Sequence, residues 1–116
     1  MDKQIIYLAI PYSHPDPAVR EARFMMANKA AARLMERGEY VFSPISHTHS
    51  IALVGNLPLG WEYWQGYDRE MLEACGKLIV LTAEGWQDST GVTGEIAIAT
   101  EYGIPIEYMD PAALYD

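Results

Sequence analysis

The hydrophobic positions of this chain fall into two kinds of segment. Short apolar runs without polar alternation, rich in β-branched and aromatic residues, are typical of strands buried on both faces of a sheet. Longer segments carry apolar residues at the three- and four-residue spacing of an amphipathic helix. The runs predict strands over residues 4–10, 39–43, 77–82 and 104–109. The longer segments predict helices over residues 17–37, 61–74 and 92–102, and a short helix also fits residues 48–54.

Prolines and glycines mark the boundaries of these elements. Asp16 is predicted to cap the first helix, with Pro17 at its first position, where a missing N–H costs nothing. Gly38, Gly76 and Gly103 follow the three long helical segments, and glycine adopts readily the left-handed backbone that ends a helix. Local chemistry and hydrophobic spacing therefore predict the same boundaries.

The order of strands and helices predicts an α/β fold. Strands that alternate with helices form a mostly parallel sheet with helices on both faces. With right-handed crossovers, we expect a small doubly wound, Rossmann- or flavodoxin-like sheet of strand order 2-1-3-4, in one domain over residues 1–116. Its switch point falls between the first and third strands, where such sheets bind ligands. Two loops meet there, residues 11–16 and 83–91, and they form the predicted ligand site.

Composition narrows the class of protein. The 116 residues suffice for one hydrophobic core, and a single cysteine, Cys75, excludes an intrachain disulfide and suits a reducing compartment. The 16 acidic and 8 basic residues give a net charge of -8, which argues against binding to a nucleic-acid polymer. No apolar run reaches the roughly 20 residues of a membrane span, and the first residues lack the pattern of a secretory signal. We therefore expect a cytoplasmic protein that does not engage membranes.

Basic residues are concentrated early in the chain. Five of the eight lie between residues 17 and 37, on the first predicted helix. Charge runs of this kind are usually the solvated face of a helix. The alternative is that Arg20, close to the helix start, completes an anion site with Ser13 and His14 of the first loop.

The second loop carries the densest candidate chemistry. Asp88, Ser89 and Thr90 precede or begin a helix, and Gly91 allows a ligand to approach the backbone. The unpaired N–H groups and partial positive charge of a helix N-terminus suit a phosphate, and they are expected to keep Glu95 ionised as a nucleophile. The same residues are also ordinary helix caps and early-turn acids. The NTPase phosphate-loop motif and the dinucleotide glycine motif are both missing, and no cofactor is predicted.

Three further blocks of sequence occur in an order known from one enzyme superfamily. The first is YLAIPY at residues 7–12, which is similar to that superfamily's opening strand, although Ile10 stands where a glycine is usual. The second is YDREMLEACGKLIVL at residues 67–81, similar to an aspartate-bearing helix and the strand after it. The third is S-x-G-V-x-x-E at residues 89–95, followed by IAIATEYGIPI. Together they resemble the nucleoside 2-deoxyribosyltransferase superfamily, which includes deoxynucleoside 5'-monophosphate N-glycosidases.

The resemblance implies roles for several residues. Glu95 would be the nucleophile that attacks the anomeric carbon of a (deoxy)ribosyl group and forms a glycosyl-enzyme. Asp68 matches an aspartate that protonates or positions the base, and Asp88 matches another aspartate on the base side. Tyr7 or Tyr12 would contact the sugar beside Glu95. The resemblance also implies a homodimer or a higher homo-oligomer, with the aromatic stretch 61–67 as one candidate interface.

Ser89 bears on the branch of the superfamily that this chain resembles most. In the nucleotide-hydrolysing branch a serine at this position binds the 5'-phosphate, whereas the transferases more often have an aspartate–glycine pair. Because Asp88 and Ser89 are both present, the branch stays open. We expect N-glycosidic cleavage of a (deoxy)nucleoside 5'-monophosphate. The alternatives are a transferase acting on unphosphorylated deoxynucleosides and a nucleotide-binding module without catalysis.

Aromatic and histidine side chains complete the candidate set. Trp86, in the second loop, is expected to stack on a base or to close over the ligand. Trp61 and Trp64 have helical spacing, and such residues are more often part of a core or an interface. His47 and His49 form an H-x-H pair that binds metal when alternate residues share a face, but the spacing supplies no third ligand and no metal is predicted.

Overall fold

Within residues 4–115, which the structure describes, four parallel strands form a central sheet. In this computed structural model the strands are β1 (Ile5–Ala9), β2 (Tyr40–Phe42), β3 (Lys77–Leu81) and β4 (Ile106–Met109). They pair in the order β2-β1-β3-β4, and Tyr7 lies opposite Phe42 on one side and Leu78 on the other. The predicted α/β class, parallel sheet and strand order are confirmed. Residues 1–3 and 116 of the predicted domain lie outside the described residues.

Helices connect each strand to the next. In the described part of the chain they are α1 (Pro17–Glu36), α2 (Pro44–Gly55), α3 (Trp61–Glu73), α4 (Thr90–Tyr102) and α5 (Ala112–Tyr115). A short 3-10 turn over Trp86–Asp88 lies between β3 and α4. No helix in residues 4–115 is long and apolar enough to cross a lipid bilayer.

Side-chain caps fix the start of the two helices that flank the predicted ligand site. The Asp16 carboxylate accepts a hydrogen bond from the Ala18 N–H at 2.9 Å, so the predicted cap of α1 is confirmed. Ser89 caps α4 in the same way, and its Oγ accepts from the Val92 N–H at 3.2 Å. Gly103, with a φ of 68°, ends α4 in the left-handed conformation.

The sheet separates two hydrophobic clusters, one on each face. Successive side chains of a strand point to opposite faces, so β1 supplies both clusters. Ile6 and Leu8 pack with residues of α1 and α5, whereas Tyr7 and Ala9 pack with residues of α3 and α4. The first cluster also contains Ala27, Ala30, Leu34, Ile79, Leu81 and Leu114. The second cluster also contains Leu72, Leu78, Val80, Val92, Ile98 and Ala99. Helices therefore cover both faces, as predicted.

The segment after β2 differs most from the prediction. The pattern favours a short helix over residues 48–54, but α2 begins at Pro44 and continues to Gly55. Proline is well tolerated in a first helical turn, and the Thr48 hydroxyl donates to the Pro44 carbonyl at 2.8 Å. Pro44 therefore follows the end of β2 and is also the first residue of α2. An interpretation of this proline only as the end of a strand does not predict the helix that begins there.

Smaller differences have local causes. The helix predicted from residue 92 begins at Thr90, because Ser89 supplies the cap two residues earlier. The strand predicted from residue 104 begins at Ile106, after Pro105, which has no N–H for the strand ladder. The final helix, α5, lies after the last predicted strand, in a segment for which the hydrophobic pattern predicts no helix or strand.

Candidate active site

A cavity of about 530 Å³ opens at the carboxyl ends of the strands. This is the predicted switch point of the sheet, and both predicted loops contribute to its wall. The rest of the wall comes from α2, from α3 and the segment that leads into it, and from the first two turns of α4. The volume lies in the range of sites that hold small organic ligands.

Glu95 is a buried carboxylate at the wall of this cavity. It lies in the second turn of α4 and is only 5 % exposed. The Tyr7 hydroxyl donates a hydrogen bond to Glu95 Oε2, and Tyr7 is itself fully buried in the middle of β1. Asp68, on α3, faces the same carboxylate and also lines the cavity. The structure thus brings together the three residues predicted as catalytic, Glu95, Asp68 and Tyr7.

Burial and mutual repulsion disfavour negative charge in this cluster. Burial raises the pKa of Glu95 well above its ordinary value, and the nearby Asp68 carboxylate raises it further, while the hydrogen bond from Tyr7 opposes both effects. Burial also raises the pKa of Asp68 to about 6, again against the hydrogen bond from Tyr7. The pKa of Tyr7 is raised by burial and then by the two carboxylates, so its hydroxyl stays protonated and acts as a donor.

The expectation that the helix terminus keeps Glu95 ionised is wrong for the protein without ligand. Thr90 is the first residue of α4, so Glu95 lies beyond the first turn, where the influence of the helix-terminal N–H groups has faded. Burial determines the direction of the shift in its pKa instead. Because two neighbouring carboxylates repel each other as anions, we expect this pair to retain a proton near neutral pH.

The first turn of α4 forms a polar part of the wall. Asp88, Ser89, Thr90 and Gly91 all line the cavity, as the sequence predicts for three of them. Ser89 Oγ accepts from the Val92 N–H, which leaves the proton of its hydroxyl to donate to a ligand. The N–H groups of Thr90 and Gly91 have no acceptor within the helix. Cap and ligand-binding roles of Ser89 are therefore compatible.

Trp61 and Trp64 form an apolar part of the wall. Gly94 on α4 makes room for Trp61, since a Cβ at position 94 would lie only 2.3 Å from Trp61 Cζ2. The Trp64 indole is held by a hydrogen bond of 2.7 Å from its Nε1–H to the Pro58 carbonyl. Sequence spacing favours a core or interface role for the two indoles, and Trp61 does pack against the second hydrophobic cluster. Both indoles also line the cavity, where they offer apolar surface to a ring-shaped ligand.

A hydrogen-bond chain that the sequence does not predict runs from the protein surface into the cavity. The Tyr12 hydroxyl lies 2.6 Å from His49 Nδ1, and His49 Nε2 lies 2.8 Å from Glu21 Oε2. His49 is 5 % exposed and stacks on Phe24 with ring centroids 4.2 Å apart. Tyr12 and His49 both line the cavity, as predicted for Tyr12. Glu21 and His49 are 28 positions apart in different helices, so no sequence spacing signals their contact.

His47 and His49 do not form a metal-binding pair. Both lie in α2, and residues two positions apart in a helix do not share a face. His47 is exposed and His49 is buried. Among the residues described, no group of three or more His, Cys, Asp or Glu side chains is placed to hold a metal ion.

The structure does not bring Arg20 into the cavity wall. Its Nη1 donates to the carbonyl oxygens of His14 and Pro15, so the guanidinium stabilises the first loop instead of meeting an anion. Ser13, predicted with it, does line the cavity, and its hydroxyl donates to the Leu59 carbonyl at 3.3 Å. The anion site proposed from these residues is therefore incomplete in this structure.

Arg23, which the sequence does not single out, joins the two loops at the switch point. Its Nη1 donates to the Ser13 carbonyl of the first loop at 3.1 Å. Its Nη2 lies 3.0 Å from the position that a Cβ of residue 85 would take in the second loop. Gly85 has a φ of +88°, a conformation that favours glycine. Arg23 is therefore hydrogen-bonded to the first loop and lies beside the second.

Trp86 lies away from the cavity. Its ring packs against Tyr108 of β4 with centroids 5.5 Å apart, and it contacts the second hydrophobic cluster. The 3-10 turn at residues 86–88 directs the indole toward β4, so the structure does not support the expected stacking on a ligand. Cys75, the lone cysteine, is buried and belongs to the same cluster.

The described wall of the cavity is acidic. It contains four carboxylates and no lysine or arginine, and its one histidine is His49. The carboxylates are Glu62, Asp68, Asp88 and Glu95. A ligand that brings further negative charge is therefore disfavoured relative to a neutral one.

The parallel sheet of order 2-1-3-4 and the cavity at its switch point define a doubly wound α/β protein with an acidic ligand-sized site. Residues 4–110 match the family described as "Domain of unknown function (DUF1937)", and the chain belongs to that family. Comparison with curated proteins gives no significant match.

Proposed function

We propose that this protein cleaves the N-glycosidic bond of a nucleoside, with Glu95 as the nucleophile. The observation that carries the proposal is the buried Glu95 carboxylate, which accepts a hydrogen bond from Tyr7 and faces Asp68 at the wall of a ligand-sized cavity. The resemblance to the nucleoside 2-deoxyribosyltransferase superfamily supports the same chemistry. Its three sequence blocks contain these three residues.

Glu95 attacks as in retaining glycosidases, from the state in which the proton that the carboxylate pair retains is on Asp68 and Glu95 is ionised. Its carboxylate forms a bond to C1' of the sugar while the bond from C1' to the base nitrogen breaks, through a transition state with oxocarbenium character. The resulting glycosyl-enzyme ester then passes its sugar to water or to a second base. Burial makes the Glu95 carboxylate costly in the empty site. Positive charge develops on the sugar in the transition state and offsets that cost. The attraction between the Glu95 carboxylate and the sugar is therefore stronger in the transition state than in the bound substrate.

Asp68 and Tyr7 support this step in different ways. Asp68 lines the cavity, and its pKa of about 6 suits a group that donates a proton to the departing base near neutral pH. Tyr7 is fully buried and is not part of the cavity wall, so it orients Glu95 without touching the ligand. Of the two tyrosines expected near the sugar, Tyr12 is the one that lines the cavity.

The charge of the wall favours a substrate without a 5'-phosphate. A phosphate monoester adds roughly -1.5 to -2 charges at neutral pH. The described wall already contains four carboxyl groups, of which three are ionised when the Glu95–Asp68 pair retains one proton, and no lysine or arginine. We therefore propose an unphosphorylated (deoxy)nucleoside as the substrate. The 5'-monophosphate, which the sequence favours, remains the second candidate because Ser89, Thr90 and Gly91 at the N-terminus of α4 line the cavity.

We propose that this protein forms a homo-oligomer, on the basis of the resemblance and of one exposed apolar surface. α2 exposes Ile51, Leu53 and Val54 at 48, 61 and 90 %. Trp61 and Trp64 of the expected interface stretch line the cavity instead. We propose that the end of α2, at residues 51–54, is the contact between copies of this chain.

The setting of the reaction follows from the same observations. Glu95 and Asp68 supply the nucleophile and the proton, so the proposed reaction uses no metal or cofactor. Cys75 is a buried thiol, and a chain with one cysteine suits a reducing compartment. We therefore propose a cytoplasmic location.

The test is chromatographic detection of free base. The protein is incubated with each common ribo- and deoxynucleoside and with its 5'-monophosphate. We expect base release from at least one nucleoside, at a higher rate than from its monophosphate. Addition of a second base distinguishes a transferase, which forms a new nucleoside. Release from monophosphates alone would overturn the proposed substrate, and ligand binding without any base release would overturn the proposed enzyme.

Glu95→Gln is the variant that tests the nucleophile. The amide keeps the size of the side chain and still accepts from Tyr7, but it cannot form the glycosyl-enzyme, so base release should fall at least about 1,000-fold. Because burial raises the pKa of Glu95, this neutral replacement should not lower the unfolding temperature at neutral pH. Glu84→Gln, at an exposed position after β3, is the control and should retain activity. Full activity of Glu95→Gln would contradict the mechanism.

A further inference from the structure

We propose that Glu21, His49 and Tyr12 form a proton relay, through which Tyr12 exchanges a proton with the bound ligand or its attacking water. The proposal rests on the proposed nucleoside chemistry for the reaction that the relay serves, whereas the relay itself rests on observed geometry. Tyr12 lines the cavity and is the catalytic member. His49 and Glu21 act through it and are positioning residues.

The direction of each hydrogen bond follows from Glu21. An ionised carboxylate only accepts, so His49 Nε2 carries the proton in the 2.8 Å contact with Glu21 Oε2. A neutral His49 then has an unprotonated Nδ1, which accepts from the Tyr12 hydroxyl across 2.6 Å. The lone pairs of the Tyr12 oxygen are left to accept a proton from a group in the cavity.

The burial of His49 distinguishes the Glu21–His49–Tyr12 hydrogen-bond chain from a surface ion pair. The His49 side chain is 4 % exposed, whereas that of Glu21 is 58 % exposed, so one end of the chain meets solvent and the other meets the ligand. The imidazole is held between Phe24, which stacks on it, and the edge of Tyr12. Both ring nitrogens have polar partners, as buried polar atoms generally do, and here one partner lies at the cavity and the other at the protein surface.

The relay serves the second half of the proposed reaction. When water attacks C1' of the glycosyl-enzyme, its O–H bond breaks and that proton goes to the Tyr12 oxygen, while the Tyr12 proton passes to His49 Nδ1. The new bond from water oxygen to C1' replaces the ester bond, whose electron pair returns to the Glu95 carboxylate. His49 is then an imidazolium stabilised by Glu21. Its Nδ1 proton leaves through Tyr12 when solvent refills the cavity, and no oxidant or reductant is needed.

The charged groups around Tyr12 keep its hydroxyl protonated in the resting protein. Burial raises the pKa of Tyr12, Arg20 of α1 lowers it and Glu21 of α1 raises it. Tyr12 therefore transfers a proton along the chain without resting as a phenolate. The other titratable groups that face the cavity are Glu62 and Asp68 of α3, Asp88 and Glu95.

The first test is the ¹⁵N NMR spectrum of the histidine ring nitrogens in the intact protein, with His49 assigned by comparison with His49→Gln. We expect the tautomer with a proton on Nε2 at high pH. In Glu21→Gln the Nε2 shift of His49 should change, and in Tyr12→Phe the Nδ1 shift should change, because each ring nitrogen loses the partner that it has in the wild-type protein. A proton on Nδ1 in the wild-type protein would overturn the relay, whatever the enzymatic activity.

The second test is the pH profile of base release. Tyr12→Phe and His49→Gln should lower kcat about 10²-fold, the lower range for general acid–base groups, and should remove the limb of the profile that belongs to the relay. Glu21→Gln should also lower kcat, because the imidazolium formed during the proton transfer loses its carboxylate partner. The matched controls are His47→Gln, exposed on the same helix, Tyr40→Phe, exposed on β2, and Glu36→Gln, exposed on α1. They should keep the wild-type profile.

The two tests separate this proposal from the proposed function. Base release by the wild-type protein with unchanged profiles in all three relay variants would overturn the relay and leave Glu95 as the nucleophile. If the wild-type protein releases no base from any nucleoside or monophosphate, the proposed function fails. The NMR tautomer then still decides the relay, with a proton on Nε2 in its favour.

Discussion

Asp68 holds its proton more tightly in the folded protein than in an unfolded chain. Burial raises its pKa from 3.8 to about 6. Between these values the folded state binds more protons than the unfolded state, so the free energy of unfolding falls as the pH rises through that window. The pKa of Glu95 is raised for the same reason, which extends the loss to higher pH.

Asp68→Asn should flatten this dependence. The amide does not titrate, so the free energy of unfolding should fall less between about pH 4 and pH 6, and the variant should be at least as stable as wild type at pH 7. Urea unfolding at several pH values measures the effect. Glu70→Gln, an exposed change on the same helix, is the control for the loss of one negative charge. A slope identical to that of wild type would show that Asp68 is not the group responsible.

Single residues also show what the sequence reveals about the site. The motifs indicate Glu95 and Asp68, and in the structure the two carboxyl groups lie near enough to each other and to Tyr7 for each to affect the pKa of the other groups. The Glu21–His49 contact joins two helices without any periodic signal, so only packing reveals it. Arg20 and Trp86 lie in the expected segments, but loop carbonyls and Tyr108 hold their side chains away from the cavity. The sequence predicts the segment in which such a residue lies, but it does not determine the rotamer of the side chain and so does not show whether the side chain reaches the cavity.

At the level of helices, α3 and α4 come close together because Gly94 has no side chain. A Cβ at this position would lie between 2.3 and 2.9 Å from three ring atoms of Trp61. Gly94→Ala therefore forces the indole to move, and the indole is part of the cavity wall. We expect a loss of about 1–3 kcal/mol in the free energy of unfolding, together with weaker ligand binding and slower base release.

Gly66→Ala is the matched control for this prediction. Gly66 lies within α3, and a Cβ there would have nothing within 4 Å. Alanine is the better helix former, so this variant should gain up to about 1 kcal/mol and keep its activity. Thermal and urea unfolding of the two variants measure the contrast. Equal stability of Gly94→Ala and the wild-type protein would contradict the close packing of α3 on α4.

Element boundaries were predictable where one chemical signal dominated. Asp16 and Gly103 mark the ends of helices by caps that act locally, and the structure has both. The start of α2 was missed because Pro44 serves β2 and α2 at once. Residues 112–115 form a helix too short for a periodic pattern to reveal.

For the whole molecule, topology rules were more informative than any single residue. Four apolar runs alternating with helices leave few arrangements once crossovers are right-handed, and the observed order β2-β1-β3-β4 is the expected one. The position of the cavity follows from that order, since parallel strands end at one edge. The shape and charge of the cavity do not follow from it, because they depend on α2, whose extent the sequence underestimated.

The proposed assembly predicts a property of the whole molecule. Light scattering should give the mass of a dimer or a larger oligomer, and the double variant with Leu53→Glu and Val54→Lys should dissociate to a monomer while it stays folded. These side chains are 61 and 90 % exposed, so charge there costs the isolated chain little. Met35→Lys, at a 53 % exposed position on α1, is the control. A monomeric wild-type protein would contradict the assembly.

Tyr7 belongs to the second hydrophobic cluster and at the same time holds the Glu95 carboxylate. Selection therefore cannot adjust the proposed nucleophile without also acting on the interior of the sheet, because one side chain, Tyr7, contributes to both. The relay side of the cavity is under no such double constraint, because Tyr12 and His49 lie outside both clusters. New substrates should accordingly arise through changes around α2 and the first loop, while the Glu95 side is inherited together with the fold.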